Sequence, residues 1–256
     1  MASRQDEIRS ELDKLVASLN LLSEKAQDEV LAGMLKIPPG TPINVTRDEL
    51  IKHLEKTLGK YRGGAASLTA DWYETLRRAV IDEDFSATLA DDMPSEEIDA
   101  KVRWLMARLN DNPDALDSLT GDLSSFIDRV VKAGSRETII KSVKNDPSKP
   151  RFARVPAGNE TCPFCRMLAS RGFVYTSEKA AAGIKRGYHG HCDCVIVPAW
   201  GKPPKIRGYK PDKDYKRYEA ARDALEKELG YSIGLKPVDI VAKMRELYPD
   251  IYPRTN

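Results

Sequence analysis

The chain has 256 residues, of which 41% are hydrophobic and 31% charged, with 16 Gly and 16 Pro. This is the composition of an ordinary globular protein, and it excludes collagen-like, largely disordered and disulfide-dense classes. The formal net charge of +2 conceals a polarity: residues 1–150 carry 21 basic and 27 acidic side chains, whereas residues 151–256 carry 20 and 12.

The opening Met-Ala-Ser-Arg-Gln-Asp-Glu lacks the basic start and apolar core of an export signal. Apolar runs such as Val195-Ile196-Val197 are far shorter than the ~20 residues of a membrane span. Synthesis in a cytoplasm, and no membrane partner, are expected. Ile8, Leu12, Leu15, Leu19 and Leu22 recur at steps of three and four, which predicts a helix running on to about Leu35. Pro38-Pro39-Gly40 ends it by removing donors and fixing φ. Thr46 with Glu49 forms a capping-box pattern for a second helix through Leu50, Leu54 and Leu58, which Gly63-Gly64 is expected to stop. A third helix follows through Trp72 and Leu76 to Val80, and the acidic stretch 82–92 reads as a loop. Ser95, with Glu96 and Glu97 in the first turn, starts a fourth helix that Asn110-Asp111-Asn112-Pro113 breaks. Leu116 to Val143 predicts one or two more, interrupted near Gly134.

After Asp146-Pro147-Ser148-Lys149-Pro150 the texture changes to short apolar runs bounded by Gly and Pro. Phe152–Val155, Phe173–Tyr175 and Val195–Val197 read as strands, with short helices over Phe164–Ser170 and Ser177–Ala182. Residues 201–218 read as an extended basic strap, carrying Lys202, Lys205, Arg207, Lys210, Lys213, Lys216 and Arg217. Such a strap is suited to phosphates or to an acidic protein face, with Tyr209, Tyr215 and Tyr218 placed to stack on bases; a plain solvated linker is the rival reading. Helices over Asp214–Leu229, stopped by Gly230, and Pro237–Tyr248 complete the chain. The expected fold is mainly α with a small α+β zinc-binding module. It divides into a helical region (1–146), the module (147–200), and a basic strap with C-terminal helices (201–256).

All four cysteines lie between positions 162 and 194, together with two of the three histidines. Two thiols separated by two residues can share one ion, and a second close pair completes a tetrahedron of the soft donors that zinc prefers. The spacing selects Cys162 and Cys165 with His189 and one of Cys192 or Cys194, and does not choose between those two. His191, adjoining Cys192, is the weakest candidate. Disulfides are the competing use of the same residues, disfavoured in a reducing compartment.

The run Val155-Pro-Ala-Gly-Asn-Glu-Thr-Cys-Pro-Phe-Cys-Arg-Met-Leu-Ala-Ser-Arg-Gly, with Tyr188-His-Gly-His-Cys-Asp-Cys further on, resembles the MuF-like minor head proteins of tailed bacteriophages. It is most similar to those of actinobacteriophages. The segment from Ala65 to Arg77 resembles their N-terminal helical region. The family's Cys-x-x-Cys and His-x-x-Cys-x-Cys patterns fall on Cys162, Cys165, His189, Cys192 and Cys194. The resemblance implies a structural protein of the virion, present in several copies at the portal vertex inside the head. Its implied partners are the portal protein, capsid or scaffold protein, and packaged DNA, with roles in head assembly, packaging or retention of DNA, or ejection. No catalytic residue comes with the motif. Similar proteins are often labelled capsid maturation proteases, and that is the main alternative. With His189 or His191 on a metal, His53 would be the leading base, and no serine motif accompanies it. A zinc-dependent DNA-binding protein or nuclease is the further alternative, without an evident second metal site.

Overall fold

A computed structural model describes residues 4–38, 40–111, 116–158, 161–181, 192–231 and 233–252. Among these are seven helices and one two-stranded sheet. The chain divides into two compact units.

The helical unit comprises Lys14–Ser142. It takes most of α1 (Arg4–Met34), all of α2 (Ile43–Ile81) and α3 (Ser95–Asp111), and α4 (Leu116–Asn145) as far as Ser142. The heptad-like positions Leu15, Leu19, Ala26 and Val30 of α1 are buried. So are Leu50, Leu54, Leu58 and Tyr73 of α2, Ile98, Val102 and Leu105 of α3, and Ile127, Val131 and Ile139 of α4. Burial of each large apolar side chain stabilises by about 1.5–3 kcal/mol, and this stripe packing is the main source of the unit's stability.

Two expected breaks are absent. Gly63 and Gly64 lie inside α2, a single helix of 39 residues. A glycine costs a helix only about 1 kcal/mol, and the flanking Tyr61, Ala65, Ala66, Thr69 and Ala70 are all buried, so packing carries the helix through. Gly134 likewise lies within α4, where it admits the backbone of α2 at Arg62. The Thr46 capping box is not formed: α2 begins at Ile43 behind Pro42, and the amides of Val45 and Thr46 donate to the Pro42 carbonyl. Thr46 Oγ1 reaches back to the Thr41 carbonyl instead.

Residues 82–94 form the expected loop. Side chains hold it: the amides of Ala87, Thr88 and Ala90 donate to Glu74 Oε1, Ser142 Oγ and Thr138 Oγ1 at 2.8, 2.9 and 3.0 Å. Arg77 is almost fully buried beneath the loop, donating to the Glu83 carbonyl at 2.7 Å with its guanidinium over the Phe85 ring.

The second unit is formed by residues 4–13, 143–181 and 192–252 among those described. Strand β1 (Arg151–Pro156) pairs antiparallel with β2 (Cys194–Ala199), in a register that sets Arg154 against Ile196 and Pro156 against Cys194. Phe173–Tyr175 contributes only a bridge, Phe152 to Tyr175, not a strand. Helix α5 (Pro163–Ala169) lies between the strands in sequence. The described part of Ser177–Ala182 is a turn, not a helix. Helices α6 (Pro211–Leu229) and α7 (Pro237–Leu247) enclose a small core of Ala221, Leu225, Ile240, Met244 and Tyr252. Gly230 stops α6 in the left-handed conformation, with φ 74°.

Candidate metal centre

Three strategies fix α5, the helix that begins at the Cys-x-x-Cys turn. Tyr175 Oη donates to the Leu168 carbonyl at 2.6 Å, and Tyr209 Oη to the Ala169 carbonyl at 2.7 Å. Arg166, one residue from Cys165, pairs at 3.4 Å with Asp214, a nearly fully buried carboxylate that Arg217 also contacts at 3.1 Å. Pro163 pre-sets the first helical φ, and Cys162 stands at the N-cap, its sulfur accepting from the Cys165 amide at 3.4 Å.

The sheet brings the other cysteines to this turn. Cys194 opens β2, and Cys192 precedes it. One ligand atom from each of Cys165, Cys192, Asp193 and Cys194 lies within 4.8 Å of all the others, and the three thiols are buried. The Cys165 and Cys192 sulfurs are 3.4 Å apart. Sulfurs around tetrahedral zinc, at Zn–S of about 2.3 Å, lie about 3.8 Å from one another; a disulfide needs about 2.05 Å. The spacing therefore fits a shared ion with a shift of a few tenths of an ångström, and all four cysteines are free thiols here. Cys162, expected as a ligand, is not part of this group.

The electrostatics keep this cluster protonated when no ion is bound. Hydrogen bonding of the Cys165 thiol to Cys162, Cys192 and Cys194, together with burial, holds its proton and pushes it far above its ordinary value. Cys194 is drawn down by Cys165, but Cys192 and burial outweigh that and leave it raised. A thiol cluster without an ion holds its protons, so a metal must displace them.

Two residues that the sequence reading passed over shape the site. Asp193 Oδ2 accepts from the Gly158 amide at 3.0 Å and from Thr161 Oγ1, closing the segment before Cys162 onto the Cys192–Cys194 arm. A Cβ on Gly158 would fall 2.9 Å from the Asp193 side chain, which requires glycine there. Arg154, fully buried on β1, donates to the Ala181 carbonyl at 3.2 Å. Its other terminal nitrogen reaches Cys165 Sγ at 3.5 Å and Cys192 Sγ at 4.0 Å. The signals were present: an acid between two cysteines, and a lone charge inside the apolar run 152–155. His189 and His191 lie outside the described residues.

The basic residues divide differently from expectation. Lys202, Lys205, Arg207 and Lys210 lie on an irregular, exposed segment, but Lys213, Lys216 and Arg217 belong to α6, which starts at Pro211. The strap therefore ends at Lys210, because Pro at the first helical position begins the helix earlier. Arg207 pairs with Asp6 at 3.0 Å and Arg217 with Asp214. Tyr209 is buried and bonded to Ala169, so it is not available for stacking; Tyr215 is exposed and packs on Tyr218 with ring centroids 5.9 Å apart. His53, the one candidate base among the described residues, has Nε2 at 2.8 Å from the Glu29 carbonyl and its ring against Gly33.

The chain belongs to the VG15 family: the family model, described as VG15 protein, matches residues 7–221. It is thus a phage-type protein. Among the proteins it is similar to, the Gene 15 protein of Mycobacterium phage L5 is 28% identical, over 53% of this chain and 59% of that protein. The Gene 15 protein of Mycobacterium phage D29 is 27% identical, over 53% and 60%. The chain spans about three fifths of the length of these curated relatives. No solved structure matches it. No helix among the described residues is long and apolar enough to cross a membrane.

Proposed function

We propose that this chain is a structural minor head protein of a tailed phage, of the MuF-like type. It resides in several copies at the portal vertex inside the head and aids head assembly, DNA packaging or retention, or ejection. The observation that carries the reading is the convergence of Cys165, Cys192 and Cys194 at the Cys-x-x-Cys turn. The residues that build this cluster are those that carry the MuF-like resemblance. In this reading the cluster holds one structural zinc ion, which fastens α5 to the β1–β2 sheet and has no catalytic task. Thiolate donors favour zinc over harder divalent ions. A two-stranded sheet and a seven-residue helix bury little apolar area of their own, so a metal cross-link would supply much of their stability.

The portal protein is the principal partner, with capsid or scaffold protein beside it. The exposed lysines 202, 205, 210, 213 and 216 suit loose, sequence-independent contact with packaged DNA. The test is the composition of procapsids and the capture of isolated portal rings by the purified chain. The reading expects the chain in procapsids in a fixed ratio to portal protein. A phage deleted for it that assembles and infects at the normal level would end the proposal. The competing protease reading is checked in the same preparation, by incubation with capsid precursor.

A further inference from the structure

From the surroundings of the cluster we infer that Arg154 is the fixed counter-charge of a thiolate-rich metal centre built on Cys165, Cys192 and Cys194. The inference deepens the metal reading above and rests on it. Arg154 lies in the middle of β1, in the run Phe-Ala-Arg-Val, and is fully buried. Residues directly opposite in an antiparallel pair share a face, so the register Arg154–Ile196 and Pro156–Cys194 puts Arg154 and Cys194 on one side of the sheet. The guanidinium reaches two of the sulfurs and is held in place by the Ala181 carbonyl.

A guanidinium stays protonated at any ordinary pH, and a buried charge is tolerated when opposite charge lies beside it. Three thiolates around a divalent ion leave a negative charge in the interior, which also needs compensation. Arg154 meets both requirements at once.

Asp193 is the fourth member of the group, between the two cysteines of the arm. Asp193 already spends Oδ2 on Gly158 and Thr161, which positions the arm. Cys162, at the other end of the Cys-x-x-Cys turn, accepts the Cys165 amide at 3.4 Å and stands outside that group.

The experiment uses the reduced full-length chain with Co²⁺ as spectroscopic probe and Zn²⁺ affinity measured against a chromophoric chelator. The wild type is expected to give the sulfur-to-cobalt charge-transfer intensity of at least three thiolates. Arg154→Met is expected to weaken zinc by about 10–100-fold, the range for partners just outside a ligand set, while Arg154→Lys, which keeps the charge, stays within about tenfold of wild type. A cobalt spectrum without sulfur-to-cobalt charge transfer overturns the assignment whether or not the variants fold. Equal losses in the Lys and Met variants, or no loss in either, overturn the counter-charge role. A wild-type chain that binds no cobalt removes the centre altogether, while the place of the protein in the head stands or falls by procapsid composition.

Discussion

Gly134 of α4 faces the backbone of Arg62 of α2 so closely that a Cβ on the glycine would fall 2.5 Å from the Arg62 carbonyl oxygen. The neighbour is main chain within a 39-residue helix and cannot swing aside. Gly134→Ala therefore destabilises the helical unit despite alanine's better helix propensity. Overpacking costs about 1–3 kcal/mol. Gly63→Ala makes the control, since nothing lies within 4 Å of its added Cβ; it gains about 0.5–1 kcal/mol. Urea midpoints of the two variants should move in opposite directions.

Asp146 is fully buried, with Oδ2 accepting from Trp200 Nε1 at 2.9 Å and Oδ1 from the Ser148 amide at 2.9 Å. Asp146→Asn replaces one acceptor by an NH₂ donor, so one of these N–H groups loses its acceptor. The expected cost is about 1–3 kcal/mol, read from thermal unfolding. An unchanged melting temperature would show that this pair does not hold the start of the sheet.

Metal content tests the cluster directly. About one zinc per chain is expected in reduced protein, Cys165→Ser should lose it, and a chelator should lower the melting temperature of wild type but not of the variant. The neighbouring thiols and burial keep the Cys165 proton on in the metal-free state. Metal binding therefore releases protons, and apparent affinity rises with pH. Metal-free protein with paired cysteines would favour the oxidised alternative.

Glu29 of α1 is held below the usual carboxylate range, first by its hydrogen bond with Lys60 and also by Tyr61. Its contribution is present above the unfolded pKa and is lost as pH falls through the lowered folded value. Glu29→Gln should thus be less stable than wild type at neutral pH and converge with it in acid below the ordinary carboxylate range. Parallel acid limbs in the two proteins would contradict this.

For DNA, exposed lysines 202, 205, 210, 213 and 216 should dominate over Arg207 and Arg217, which are paired with Asp6 and Asp214. Each lysine that meets a phosphate adds about one unit to the slope of log K against log salt. Replacing the five by serine should flatten that slope, and replacing the two arginines should change it little. The reverse pattern would place any DNA contact elsewhere.

Local signals in the sequence located the elements well where local chemistry decides them. α3 opens at Ser95 and Gly230 stops α6, because such local signals act within one turn, while Asn112-Pro113 of the expected break lie outside the described residues. Gly63-Gly64 and Gly134 misled because a glycine's effect depends on the partner helix: here the packed stripes of α2 and the approach of Arg62 turn apparent breaks into interior positions. The cysteine spacing pointed to the convergence of Cys165, Cys192 and Cys194, while Cys162 stands outside that group. The sequence gave no account of Arg154, whose role depends on which side chains face β1 across space, and it misplaced Tyr209, whose hydroxyl is taken by a carbonyl 40 positions away.

The loop 82–94 carries a built-in gauge. Its amides at positions 87, 88 and 90 depend on acceptors offered by α2 and α4, not on a neighbouring strand or on their own turn. Solvent hydrogen exchange at these three amides therefore reports whether Glu74, Thr138 and Ser142 are simultaneously in place. A small loosening between those helices, invisible in helix content, would register first as faster exchange in a segment that has no regular structure of its own.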